Sequence, residues 1–170
     1  MSWYLRPLAI IFLLALASCG FSPLYATPGR GEVGDTAELR QLEILPIENR
    51  AGQELRNALL SILPETDGAP RYRLSVKLTE YIDDFGIRRD TTATFARLTV
   101  TADYQLQDLK LPEGAPPLLN GTLRAVNSYN ILASTFATLS AEEDARSRAS
   151  RQLAQDLKLR LGAYFKAKTN

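Results

Sequence analysis

Arg71-Tyr72-Arg73-Leu74-Ser75-Val76-Lys77-Leu78-Thr79 alternates polar and apolar side chains without a break. A period of two is the signature of a strand with one face in a core and the other toward water or a partner. The same alternation returns at Leu98, Val100, Ala102, Tyr104 and Leu106, interleaved with Arg97, Thr99, Thr101, Asp103 and Gln105. Between the two runs lies Asp83-Asp84-Phe85-Gly86-Ile87-Arg88-Arg89-Asp90, read as the connection of a long antiparallel hairpin.

Working outward, Leu111 to Pro117 carries three prolines and a glycine and breaks the pattern. Leu119, Gly121, Leu123, Ala125 and Tyr129 then predict a further strand. Upstream, Leu39 to Ile47 is apolar enough for a buried strand that ends near Pro46. Ala51, Leu55, Ala58, Leu59, Ile62 and Leu63 recur at steps of three and four, which predicts a helix with Asn49 as N-cap. Pro64 stops that helix, and Asp67-Gly68-Ala69-Pro70 turns the chain. Downstream, Ser140-Ala141-Glu142-Glu143 has capping-box spacing. Ala145, Ala149, Leu153, Leu157, Leu161 and Tyr164 or Phe165 follow as a narrow stripe. About 25 helical residues at 1.5 Å each would extend roughly 37 Å.

The order β-α-β-β-β-α predicts an α+β fold, an α/β sandwich. Strands one and two are parallel across a helical crossover, and the others are antiparallel. Both helices cover one face of a four-stranded mixed sheet. The opposite face, rich in Arg, Lys, Thr, Asp and Gln, has no cover of its own. It is either solvated or built to sit inside something polar.

The beginning of the chain has a different character. Leu8 to Ala17 is an apolar run of ten residues behind a weakly positive start at Arg6. A spanning helix needs about 20 apolar residues, so this run suits a signal peptide. It closes on Leu16-Ala17-Ser18-Cys19, which resembles the lipobox at which bacterial lipoproteins are lipidated and cut. Residues 1–18 are then removed and Cys19, the only cysteine, is acylated. Residues 19–38, punctuated by Pro23, Pro28, Gly29, Gly31 and Gly34, read as a lipidated tether, and 39–170 as one domain. Phe21, Leu24 and Tyr25 exceed what a spacer requires; a partner contact, the lipid interface and local collapse all account for them.

Composition excludes more than it identifies. The chain has 20 basic and 19 acidic residues and no histidine. Near-zero net charge gives no global field toward nucleic acid. With Cys19 consumed, Cys/His metal sites and histidine acid–base chemistry are unavailable. No cofactor, metal or catalytic residue is expected.

Cys19-Gly20-Phe21-Ser22-Pro23-Leu24-Tyr25, then Ile47-Glu48-Asn49-Arg50-Ala51-Gly52-Gln53-Glu54-Leu55-Arg56-Asn57, the paired strands to Ser128-Tyr129 and the Ala-rich helix from Ser140 together resemble the LptE family. This resemblance implies a non-catalytic lipoprotein that plugs the lumen of the LptD outer-membrane barrel, helps it fold and binds lipopolysaccharide. Gly20 after the cysteine implies the outer membrane, on its periplasmic face. The resemblance also places lipopolysaccharide-binding basic residues in the long hairpin, at Arg88 and Arg89, with Phe85 and Ile87 beside them. Pairing of these arginines with Asp83, Asp84 and Asp90 is the plain alternative. Members of the family also use a basic residue before the last helix, and residues 130–145 contain none. Arg97 and Arg124 are strand-face groups that either meet a barrel wall or are solvated. An auxiliary lipoprotein of a lipid-transport ABC system is the rival assignment. An anchored hydrolase has no G-x-S-x-G or S-x-x-K motif behind it.

Overall fold

A computed structural model describes residues 37–66, 68–87 and 93–169. Cys19, Arg88 and Arg89 lie outside the described residues. Among the described residues four strands form one sheet: β1 (Leu42–Ile44), β2 (Tyr72–Ile87), β3 (Ala93–Asp108) and β4 (Leu119–Asn130), in that spatial order. β1 runs parallel to β2, and the remaining neighbours are antiparallel. Two helices, α1 (Asn49–Ile62) and α2 (Thr135–Thr169), complete the β-α-β-β-β-α order. No helix of the described residues is long and apolar enough to cross a membrane.

The hairpin is longer than its apolar alternation implies. Tyr72 pairs with Asp108 and the ladder continues without a bulge to Phe85 opposite Phe95 and Ile87 opposite Ala93. The stretch from Asp83 to Ile87 is therefore strand, not connection. Its polar sequence hid this, because the cross-strand pairs Asp83–Arg97 and Phe85–Phe95 sustain the ladder where the pattern of apolar residues has lapsed.

Directly opposed residues share a face, so Leu74, Leu106 and Leu119 lie in one row and Leu78, Ala102 and Leu123 in another. This face carries the core. Leu74, Ala96, Leu98, Ala102, Leu106 and Ala125 are fully covered, as are Leu55 and Leu59 from α1. From α2 come Ala145, Ala149, Leu153, Leu157, Leu161 and Phe165, all at 0% exposure. These six recur at every fourth residue. On a 3.6-residue helix each such step advances about 40°, so the contact line winds around α2 along its length. One helix can thereby serve both the sheet and α1.

The first strand shrinks to three residues, because Leu39–Gln41 forms a 3₁₀ turn. Asn49 does not cap α1. Glu48 holds the N-cap position without a side-chain cap hydrogen bond, and Asn49 adopts φ 67°. Asparagine tolerates that left-handed conformation better than most residues. At Gly52, a Cβ would lie 2.7 Å from Ile47 Cγ2 and 2.8 Å from the Ile47 carbonyl carbon and oxygen. Glycine is thus required for the chain to fold back under its own helix.

α2 begins five residues before Ser140 and has 35 residues, about 52 Å, matching the sixteen-residue strands beneath it at about 53 Å. Its start is capped by Ser134, while Thr138 ties back the residues that lead into it. Ser134 Oγ accepts the Ala137 N–H at 3.4 Å, and Thr138 Oγ1 accepts the Leu132 N–H at 2.9 Å. Glu142 and Glu143 face partners instead. Arg146 donates to Glu80 Oε1 at 3.1 Å and to Glu142 Oε1 at 2.8 Å, while Glu143 pairs with Arg50. Arg146 thereby ties α2 to a carboxylate on the helix-covered face of β2.

Asp108 closes the other end of the hairpin. It accepts the Lys110 N–H at 3.0 Å and the Arg71 guanidinium at 3.2 Å, with its side chain 8% exposed. The backbone donor, then Arg71, hold its pKa below the usual carboxylate range against the opposing effect of burial. A depressed folded-state pKa contributes stability that is complete above the unfolded value near 4. That contribution is lost as pH falls through the folded value. Asp108→Asn is therefore expected to be less stable than the parent at pH 7, with the gap closing toward pH 2. A urea-midpoint series against pH measures this, and a constant gap rules it out.

Candidate functional site

The face of the sheet turned away from the helices has three rows of particular interest toward the far end of the hairpin. Phe85, Phe95 and Asn130 make one row; Asp83, Arg97 and Ser128 the next; Tyr81, Thr99 and Val126 the third. Phe85 and Phe95 stack with centroids 6.0 Å apart and planes 17° from parallel. The Arg97 guanidinium lies over Phe85, 4.4 Å from its centroid. Such a cation–π contact contributes about 0.5–1 kcal/mol at exposed sites and leaves the N–H edges free to meet an anion. Tyr81 is 62% exposed and Val126 48%, yet Thr99 between them is 4% exposed, sheltered by its two neighbours in the row. The Asp83 carboxylate hydrogen-bonds the Tyr81 hydroxyl and raises its pKa.

The near end of the same face is polar and internally satisfied. Thr122 Oγ1 donates to Asp103 at 2.6 Å, and Asp103 stands opposite Lys77. Ser75, Gln105 and Asn120 complete an open depression of about 570 Å³. Beneath it Tyr104 covers Gly121, where a Cβ would come within 2.8 Å of the phenol oxygen. One sheet face therefore carries a polar end with both charge signs and an amphipathic end with aromatic rings and a cation.

Of the residues singled out from the sequence, Phe85 belongs to this amphipathic cluster, while Arg88 and Arg89 lie outside the described residues. Arg97, considered earlier only as a barrel-wall or solvated group, has an aromatic partner. Phe95 was not picked out at all. The signal that finds it is register, because extending the Tyr72–Asp108 pairing along both strands sets it opposite Phe85. Among the described residues no three of His, Cys, Asp and Glu gather as a metal site.

The fold and this face define a class: a two-layer α+β domain whose helices cover one side of the sheet and whose other side no element of the described residues covers. The family profile described as LptE, lipopolysaccharide-assembly, matches residues 39–161, and the chain belongs to the LptE family. A solved lipoprotein of Caulobacter crescentus CB15 is similar at 26% identity, with 81% of this chain and 98% of that one covered and a TM-score of 0.61. The rare lipoprotein B of Shewanella oneidensis shares the fold at 14% identity, covering 75% and 97%, with a TM-score of 0.53. A minor lipoprotein of Acinetobacter baumannii does so at 19% identity, covering 73% and 92%, also at 0.53. Comparison with curated protein sequences gave no match.

Proposed function

We propose that this chain is an outer-membrane lipoprotein, acylated at Cys19 and held at the periplasmic face, that plugs an LptD-type barrel, assists its assembly and helps deliver lipopolysaccharide to the outer leaflet. The observation that carries this is the LptE match over residues 39–161. The open sheet face is consistent with it. A barrel lumen is polar, so a plug must offer polar groups of both signs and no large apolar patch. Lys77, Asp103, Gln105 and Thr122 supply such a surface. The job is non-catalytic, and the protein acts by fit and charge.

For the lipid, phosphates and carboxylates need guanidinium partners, and acyl chains need apolar neighbours. Arg88, Arg89 and Phe85 are the proposed contact. Arg97 and Phe95 flank Phe85 and extend the same chemistry along the strands.

Co-expression with the cognate LptD-type barrel tests the function. The folded, mature barrel is expected to depend on this chain, and equal maturation without it rejects the proposal. In the same preparations, Arg88→Ala with Arg89→Ala should weaken binding to purified lipopolysaccharide about tenfold, equivalent to ~1.4 kcal/mol. Unchanged binding would move the contact elsewhere.

A further inference from the structure

The sheet has two unlike ends. At the end where the described chain begins, the Gln41 C=O accepts the Arg71 N–H at 2.9 Å, and the Arg71 C=O accepts the Leu109 N–H at 2.8 Å. One row of hydrogen bonds thus joins the entry of the chain, the start of β2 and the β3–β4 connection. That connection is two successive turns. Leu111 N–H donates to the Asp108 C=O and Ala115 N–H to the Pro112 C=O, both at 3.1 Å. Gly114 holds φ 89° in the second turn, a conformation that glycine adopts without steric cost. Backbone therefore fixes the tip, which leaves Leu109 36% and Leu111 46% exposed with the exposed Lys110 between them.

Cations gather around these leucines. The Asp108 carboxylate takes the Arg71 guanidinium, and the Lys168 charge acts on it as well. Lys168 also lies over the Tyr72 ring at 5.6 Å, which places the last turn of α2 at this end. From Leu157 to Lys168 the helix carries Lys158, Arg160, Lys166 and Lys168 and no acid. Glu38, near Arg71, and Glu113, in the second turn, are the acids beside Asp108. Among the described residues Lys110 and Lys166 enter no salt bridge. The opposite end differs in kind: Leu132, Phe136 and Leu139 are exposed there, but Asn130 to Ala141 contains no charged residue.

We propose that the end bearing Leu109, Lys110, Leu111, Lys166 and Lys168 seats the free lipoprotein on an anionic phospholipid surface, before any barrel receives it. Leucines flanked by lysines suit the boundary between headgroups and acyl chains, where the apolar side chains enter and the ammonium groups meet phosphates. Lysine stems lie along apolar surface while their charged heads stay in water, so neither group hinders the other. The described chain starts at this same end, so residues 19–36 join the domain here and not at the far end, about 50 Å away along the strands. An anionic surface selects the cationic end over the uncharged one. Only the nearness of a membrane rests on the proposed acylation of Cys19.

Tryptophan fluorescence tests it. Trp3→Phe is combined with Leu111→Trp or, at the far end, with Phe136→Trp, so that each protein has a single tryptophan. The full chain, purified from membranes, is mixed with vesicles of brominated phosphatidylcholine, with or without phosphatidylglycerol. Bromine on the acyl chains quenches only a tryptophan that reaches them. With phosphatidylglycerol present, emission from Leu111→Trp is expected to fall about twofold, and that from Phe136→Trp to stay unchanged. Salt at about 1 M shortens the Debye length to about 3 Å and should reverse the effect without any further variant. Lys110→Glu with Lys166→Glu should abolish it, far-UV circular dichroism establishing that the fold is kept. No quenching at Leu111→Trp overturns the proposal, as does equal or greater quenching at Phe136→Trp. Quenching indifferent to phosphatidylglycerol, to salt or to the lysine substitutions overturns it as well. Intact mass reports acylation of Cys19 separately, so failure of that reading is distinguished from failure of this one.

Discussion

Replacing Phe165 with alanine is expected to destabilise the domain by about 3–5 kcal/mol, the range for emptying a buried aromatic site. Phe165 is 0% exposed and lies three turns or more past the middle of α2. Its ring meets Tyr72 at 4.9 Å, tilted 56°, and Tyr164 at 5.4 Å, nearly edge-on. Tyr72 is itself 1% exposed at the point where β1 and β2 pair, with the Arg71 and Lys168 cations over its ring at 5.1 and 5.6 Å. Removing the ring would open a void where the last turns of the helix, the first strand and the base of the hairpin meet. Urea unfolding should show a lower midpoint with an unchanged slope. A loss below about 1 kcal/mol would mean that the site collapses around the gap or that the end of α2 contributes little.

Gly52→Ala is the second, and its direction is the test. Alanine in place of glycine inside a helix normally stabilises by about 0.5–1 kcal/mol. Here the added methyl would meet the Ile47 carbonyl carbon and oxygen at 2.8 Å, and backbone cannot step aside as a side chain can. Ile47 is 5% exposed, so displacing it also disturbs the core. Forcing a methyl into a filled space typically costs 1–3 kcal/mol. The net effect is expected to be destabilising, by about 1–2 kcal/mol, read from the same urea midpoints. A more stable variant would show that the turn before α1 can move.

Much of this architecture was legible in one dimension because the physics is local. Alternation at Tyr72–Thr79 and Leu98–Leu106 marks two strands, and 3.6-residue spacing at Ala51–Leu63 marks a helix whose apolar stripe is broad enough to see. The misreadings arose where distant contacts override local preference. Asp83 to Ile87 is polar, but cross-strand partners keep it extended. The first turn of α2 carries Phe136 at 80% exposure and Leu139 at 59%, so no amphipathic period announces it. Ser140 has the spacing of a cap, yet Ser134 performs that task one and a half turns earlier.

The candidate site divides in the same way. Phe85 was visible as an apolar group in a charged stretch. Its grouping with Phe95 and Arg97 was not, since those residues come from another strand and meet Phe85 only through register. The order of elements, the parallel first pair, the polar outer face and the cysteine behind an apolar run follow from residue type and spacing, which act over a few neighbours. The glycine under which Ile47 passes and the arginine set on an aromatic ring were decided by tertiary structure. Each depends on which residues, far apart along the chain, the fold brings within a few ångströms.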